Sequence, residues 1–138
     1  MIVVDTNVIS ELMRGEPSPA VLAWVAAQPR GLLYTTYVNQ AEIVCDVGAL
    51  LAGRRHTAFA AAAQAMFAED FAGRVPFEAR AAARYPEIVL AAAASRQSSS
   101  EIDALIAATA PAAGASIATR DTVGFSGCGL TVIDPWTA

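Results

Sequence analysis

The chain has 138 residues, of which 55% are hydrophobic and 16% charged, and a formal net charge of −4 at neutral pH. That length carries one domain with a real core, and the apolar content excludes a disordered chain. The negative balance excludes a nucleic-acid binder driven by bulk charge, but not an enzyme that meets nucleic acid through bound cations.

Ile2-Val3-Val4 is a short β-branched run that reads as a buried strand. It stops on Asp5-Thr6-Asn7. Open α/β sheets bind ligands beyond the carboxyl ends of their strands, so Asp5 stands where such a fold places its chemistry. Residues 7–13 are predicted to form a short helix with Thr6 or Asn7 as its cap. Arg14-Gly15-Glu16-Pro17 ends it. Ser18 caps a second helix with Pro19 in its first turn, where proline fits, and Val21, Leu22 and Val25 form its apolar face. Residues 32–36 read as a second strand. A helix follows over 38–51 and ends at Gly53, and an alanine-rich helix covers 54–71 up to Gly73. Residues 74–77 make a weak third strand. Residues 78–96 read as a helix that Pro86 should kink or break. A polar stretch over 97–100 precedes a helix over 101–113, with Ser98 and Glu101 in capping-box spacing and Pro111 in conflict with its interior. Residues 115–119 and 130–133 supply the fourth and fifth strands. Strands that alternate with helices predict an α/β fold, with a mostly parallel sheet of about five strands and helices on both faces. No repeat or linker interrupts residues 1–138, so a single domain is expected.

No stretch reaches the roughly 18 apolar residues of a membrane span. The first apolar run lacks a preceding basic segment, so no signal peptide is read and a cytoplasmic location is expected. Cys45 and Cys128 do not have metal-ligand spacing, and no disulfide is expected. Cys45 falls in a helical pattern and reads as a small buried hydrophobe. The only histidine, His56, reads as a surface residue away from the strand ends.

Four acids fall at telling places. Asp5 follows the first predicted strand and Asp121 the fourth, while Glu42 and Asp103 stand early in helices. Taken singly, each reads first as a cap, a turn former or a solvated first-turn acid. Taken together, strand ends and the first turns of the following helices share one rim of a parallel sheet. Two carboxylates about 4–5 Å apart repel by roughly 3–4 kcal/mol at an effective dielectric near 20, so a fold that gathers several of them calls for a cation. Oxygen-only ligands suit Mg²⁺ or Mn²⁺ better than Zn²⁺. Such a centre hydrolyses phosphoesters without a serine, cysteine or histidine nucleophile.

These residues carry a family likeness. The matching pieces are residues 2–11, Tyr34-Thr35-Thr36 leading into Ala41-Glu42-Ile43, residues 102–110, residues 118–125, and Asp134-Pro135-Trp136. Spread in order over nearly the whole chain, they resemble the PIN-domain ribonucleases, specifically the VapC-type toxins and their FitB-like branch. The resemblance implies a three-layer α/β/α sandwich and Mg²⁺- or Mn²⁺-dependent cleavage of RNA. It also implies a homodimer held by a small DNA-binding antitoxin. Carried over by position, it makes Asp5, Glu42, Asp103 and Asp121 the catalytic, metal-binding acids. Thr6, Asn7 and Thr119 would orient carboxylates or water.

The chain departs from the family pattern in places. Many relatives carry an acid where this chain has Gly124, so the fourth acid is read at Asp121. Val44 and Asp46 replace an arginine and a glycine, and Asp46 reads as a solvated neighbour of Glu42 one turn on. Arg14, Arg54, Arg55 and Arg120 are candidate phosphate contacts or ordinary solvated arginines. Two other readings stay open. One is a PIN-like binding or regulatory module without catalysis. The other is a haloacid-dehalogenase-like phosphatase, against which Asn7 stands where that chemistry needs a second acid.

Overall fold

A computed structural model describes residues 1–50, 52–95 and 100–138. The elements run β1 (Ile2–Val4), α1 (Thr6–Leu12), α2 (Pro19–Ala27), a 3₁₀ turn (Arg30–Leu32), β2 (Leu33–Thr36), α3 (Tyr37–Gly48), α4 (Arg54–Glu69), β3 (Gly73–Val75), α5 (Ala79–Ala94), α6 (Glu101–Ala112), β4 (Ser116–Ala118) and β5 (Val132–Ile133). The five strands form one sheet in the order β3-β2-β1-β4-β5, and every pairing is parallel. Parallel pairing aligns the carboxyl ends of β1, β2 and β4 on a single edge, and the order places β1 between the other two.

The strands alternate sides with period two. Val3 and Ile117 enter a core with Ile88, Ala104, Ala107 and Phe125 beneath α5 and α6. Val4 and Ala118 enter the opposite core with Val8, Val21, Trp24, Ile43 and Phe67 beneath α1 to α4. The result is the expected three-layer α/β/α sandwich. In α6, Ala104, Ala107, Ala108 and Ala110 are all buried, so small side chains let this helix lie close to both the sheet and α5. Among the described residues, no helix is long and apolar enough to cross a membrane.

Several local expectations are corrected. Asp5, not Thr6 or Asn7, caps α1: its carboxylate accepts the Thr6 amide. On α2 the buried positions are Val21 and Trp24, while Leu22 is 45% exposed, because the helix turns its tryptophan inward. Cys45 is exposed, since α3 buries Asn39, Ile43 and Val47 at four-residue steps and Cys45 falls on the other face. Helix α5 runs unbroken through Pro86. The carbonyl that Pro86 leaves without a helical donor belongs to Ala82, and both residues are exposed, so water can serve it. Pro111 lies in the last turn of α6, whose end is closed by Ala115 N–H to Ala110 O at 3.0 Å and Gly114 N–H to Pro111 O at 3.0 Å. Gly114 takes φ +70° there, the left-handed residue this closure needs. The Ser98 cap and the helix ends at 51 and 96 fall outside the described residues. Helix α6 is capped by Ser100, whose hydroxyl accepts the Asp103 amide at 3.1 Å.

Candidate active site

The site is built around Asp5, which is 4% exposed. Its backbone N–H donates to Ala118 O at 2.9 Å, which fastens it to the end of β4. Its carboxylate accepts four hydrogen bonds. Oδ1 takes the Thr6 amide at 2.8 Å and Asn39 Nδ2 at 3.1 Å. Oδ2 takes the Thr119 hydroxyl at 2.7 Å and Asn7 Nδ2 at 3.3 Å. These donors come from the starts of α1 and α3 and the end of β4, so the parallel rim itself supplies the bracket.

Each donor is held in turn. Asn7 Nδ2 also donates to Thr119 Oγ1 at 2.9 Å, and its Oδ1 accepts the Arg120 amide at 3.1 Å. Asn39 sits three residues into α3 and closes a capping box: Thr36 Oγ1 accepts its amide at 3.0 Å, while its Oδ1 accepts the Thr36 amide at 3.3 Å and the Thr36 hydroxyl at 2.7 Å. That fixes the amide so that Nδ2 points to Asp5 and, at 3.0 Å, to Thr6 Oγ1. The Thr6 hydroxyl then donates to Glu42 Oε2 at 2.6 Å. One polar chain thus links Thr36, Asn39, Thr6, Glu42, Asp5 and Thr119.

Burial pushes the Asp5 carboxyl up to about 6; the charges of Asp103 and Glu42 add to the rise, and the Thr119 hydroxyl and Thr6 amide oppose it. Burial also raises Glu42 above the usual carboxylate range, with Asp103 and Asp46 adding and the Thr6 hydroxyl opposing. Asp5, Glu42 and Asp103 are therefore brought into mutual electrostatic range. Among the described residues, no three acidic, histidine or cysteine side chains close to one point as a ready-made metal cage, and no arginine pairs with any of these three acids. The donor set is nevertheless oxygen only, and its two most desolvated carboxyls are both destabilised as anions. A hard divalent cation fits this chemistry.

Asp121 stands differently. It is exposed, its amide donates to Thr119 Oγ1 at 3.1 Å, and its Oδ1 accepts the Gly124 amide at 2.9 Å. It joins the bracket through Thr119. A Cβ at Gly124 would fall 2.8 Å from Asp121 Cγ, so the Asp121 carboxylate occupies the space a side chain at 124 would take. A side chain at 124 would therefore turn the exposed Asp121 carboxylate out of its present rotamer. Asp46 is exposed on α3. Of the candidate arginines, Arg14 pairs with Glu11 at 3.2 Å, Arg55 lies over Phe59 and Arg120 over Trp136. His56 opens α4 and takes no part in the bracket.

Sequence reasoning missed Asn39. Its signal was present: Thr36 and a side-chain amide three residues on, at a strand-to-helix junction, have capping-box spacing.

Fold and site together define an α/β/α sandwich with a desolvated acidic centre on the carboxyl rim of its sheet. The PIN domain profile matches residues 2–126. The VapC ribonuclease Y4jK of Sinorhizobium fredii is 43% identical over 137 residues, 99% of this chain and 98% of that protein. The toxin FitB of Neisseria gonorrhoeae is 34% identical over 137 residues, 99% of each. The structure of FitAB bound to an IR36 DNA fragment superimposes with a TM-score of 0.87 at 33% identity, covering 99% of this chain and 96% of that one. The chain belongs to the PIN-domain family, among its VapC- and FitB-like members.

Proposed function

We propose that the chain is a Mg²⁺- or Mn²⁺-dependent endoribonuclease and the toxin of a toxin–antitoxin pair, acting in the cytoplasm. The observation that carries this is the Asp5 carboxylate, buried under four donors with Glu42 and Asp103 in electrostatic range and, among the described residues, no cationic side chain paired with them. Asp5, Glu42 and Asp103 would hold the cation, with Asp121 as the fourth acid. When bound, it supplies a Lewis acid that activates water and stabilises charge on the phosphodiester.

The chain's own residues do the rest. Asn39, Thr6, Asn7 and Thr119 fix the Asp5 carboxylate so that little reorganisation accompanies binding. Thr6 couples the two acids, since its amide donates to Asp5 and its hydroxyl to Glu42. Burial keeps competing water from the carboxylate. Asn7 occupies the place where a phosphatase of the haloacid-dehalogenase type needs an acid, and here it braces Thr119 instead.

The likeness to FitB and to the DNA-bound FitAB complex supports a homodimer held inactive by a small DNA-binding antitoxin. An inserted arginine from that partner would pair bidentately with the acidic centre. Expression of the chain should arrest growth and cleave specific RNAs, as mapped by sequencing RNA ends, and co-expression of the neighbouring gene product should rescue growth. A harmless chain with an unchanged RNA-end map overturns the toxin reading.

The fourth acid has its own test. Asp121→Asn keeps an acceptor for the Gly124 amide and removes only charge. By calorimetry it should weaken Mn²⁺ binding by about tenfold or more, whereas Asp46→Asn should change it less than about threefold. Equal losses would move the fourth ligand to Asp46.

A further inference from the structure

We propose that a cavity between α5, α6 and the 121–129 loop is the subsite for an RNA phosphate that flanks the cleaved one, and that Arg84 binds it. This rests on the ribonuclease reading above. The cavity measures about 400 Å³, and its walls include Arg84, Glu87, Asp103, Ser126, Gly127 and Cys128. Two lining residues join it to the acidic rim: Asp103 is one of the acids proposed to hold the cation, and the amide of Gly124 donates to Asp121 Oδ1 at 2.9 Å. A volume of this size lies in the range of roughly 300–1,000 Å³ that small-ligand sites occupy.

Arg84 carries the assignment. Its Nε is buried and has no hydrogen-bond partner among the described residues. A buried donor left unmatched is uncommon because it forfeits its bond to water. Four other arginines are engaged, Arg14 with Glu11 and Arg55, Arg74 and Arg120 over Phe59, Tyr37 and Trp136, while Arg30, Arg54 and Arg80 are exposed to water. Glu87 and Asp103 share the cavity with Arg84, yet neither forms an ion pair with it. A guanidinium presents five donors in a planar fork that matches phosphate oxygens. The loop passes close by: a Cβ at Gly129 would fall 3.8 Å from Arg84 Nη2. Gly127, in the cavity wall, takes φ +77°, a left-handed turn that suits glycine.

There is also a need for such a group. The acids that would hold a cation repel the phosphates on either side of the scissile one. A cation on the flank offsets this and fixes the register of the strand, as phosphate contacts do.

The test is steady-state cleavage of a labelled single-stranded RNA at several salt concentrations, with folding of each variant checked by thermal melting. Arg84→Gln should raise KM by about tenfold or more, leave kcat within about threefold, and make the salt dependence of log KM shallower by about one phosphate contact. Arg84→Lys keeps the charge without the fork and should raise KM severalfold with the parent's salt slope. Arg80→Gln, exposed on the same helix, should match the parent. If Arg84→Gln does not fold, Arg84→Lys decides: an unchanged KM overturns the subsite. So does an Arg84→Gln enzyme with the parent's KM and salt slope, and so does a loss confined to kcat. A parent chain that cleaves RNA normally beside such variants loses only the subsite. A parent that cleaves none removes the ribonuclease reading, and the subsite with it.

Discussion

Asp5→Asn should lower RNA cleavage by at least about a hundredfold, the scale of a cation's contribution to a phosphoryl-transfer barrier, and leave a folded, metal-free protein. The substitution is nearly isosteric. The introduced side chain can keep its oxygen toward the Thr6 amide and Asn39 Nδ2, but its nitrogen then meets Asn7 Nδ2 and a Thr119 hydroxyl that already accepts from Asn7 and the Asp121 amide and loses its own acceptor, so two contacts of the bracket are given up. The effect of charge on stability runs opposite to the activity effect. The Asp5 carboxyl is raised from 3.8 to about 6 in the folded chain. A raised folded pKa gives stability that is fully present below the unfolded value and is lost as pH rises through the folded one. About two pH units correspond to roughly 3 kcal/mol. In the presence of chelator, the parent should therefore lose stability between about pH 4 and pH 7 from this group, and Asp5→Asn should lack that part of the slope and, with two hydrogen bonds lost against that gain, melt no lower than the parent at neutral pH. Thermal melts across pH on both proteins check this. A metal-free Asp5→Asn chain that is unfolded would make the acid structural.

Asn39→Ala is expected to damage stability and activity together. Asn39 is fully buried, and its removal strips a donor from Asp5 and from Thr6 and leaves the Thr36 amide and hydroxyl without their acceptor. Buried groups left unmatched cost about 1–3 kcal/mol each, and part of this is relieved by relaxation. A net loss of about 2–4 kcal/mol in denaturant titration is expected, with cleavage down about tenfold to a hundredfold among the molecules that stay folded. Asn39→Asp isolates the effect of charge. It retains the acceptor that Thr36 uses but sets a second carboxylate against Asp5, so its stability in chelator should fall more steeply with rising pH than that of Asn39→Ala. An Asn39→Ala protein as stable and as active as the parent would show that the bracket around Asp5 is incidental.

The strand that ends on Asp5 was legible because three apolar residues and an acid form a local pattern, and the strand-helix alternation implied the parallel sheet. Placement of Asp5, Glu42 and Asp103 on one rim follows from that alternation alone. Asn39 was not legible in the same way, since its partners Asp5 and Thr6 lie 34 and 33 residues away and meet it only across paired strands. The contact between Gly124 and Asp121 was likewise hidden: the Gly124 amide donates to Asp121 Oδ1 within a turn that no apolar periodicity marks. Leu22 and Cys45 went wrong for a simpler reason. Both were assigned by hydrophobicity, while the face a short helix buries is set by the neighbours it meets, here through Trp24 on α2 and Asn39, Ile43 and Val47 on α3. Pro86 shows the limit of a local rule. An exposed proline forfeits one helical bond to solvent, and packing of Ala81 and Ile88 against the core carries the helix past it.

The most direct measurement is RNA cleavage by the purified chain, freed of any partner, with Mg²⁺ or Mn²⁺, with excess chelator, and with metal restored after chelation, beside Asp5→Asn under the same three conditions. The carboxylate-centred account predicts cleavage by the parent with metal, none with chelator, recovery on restoring metal, and essentially none by Asp5→Asn throughout. Undiminished cleavage in excess chelator, or an Asp5→Asn chain that cleaves as well as the parent, would contradict it.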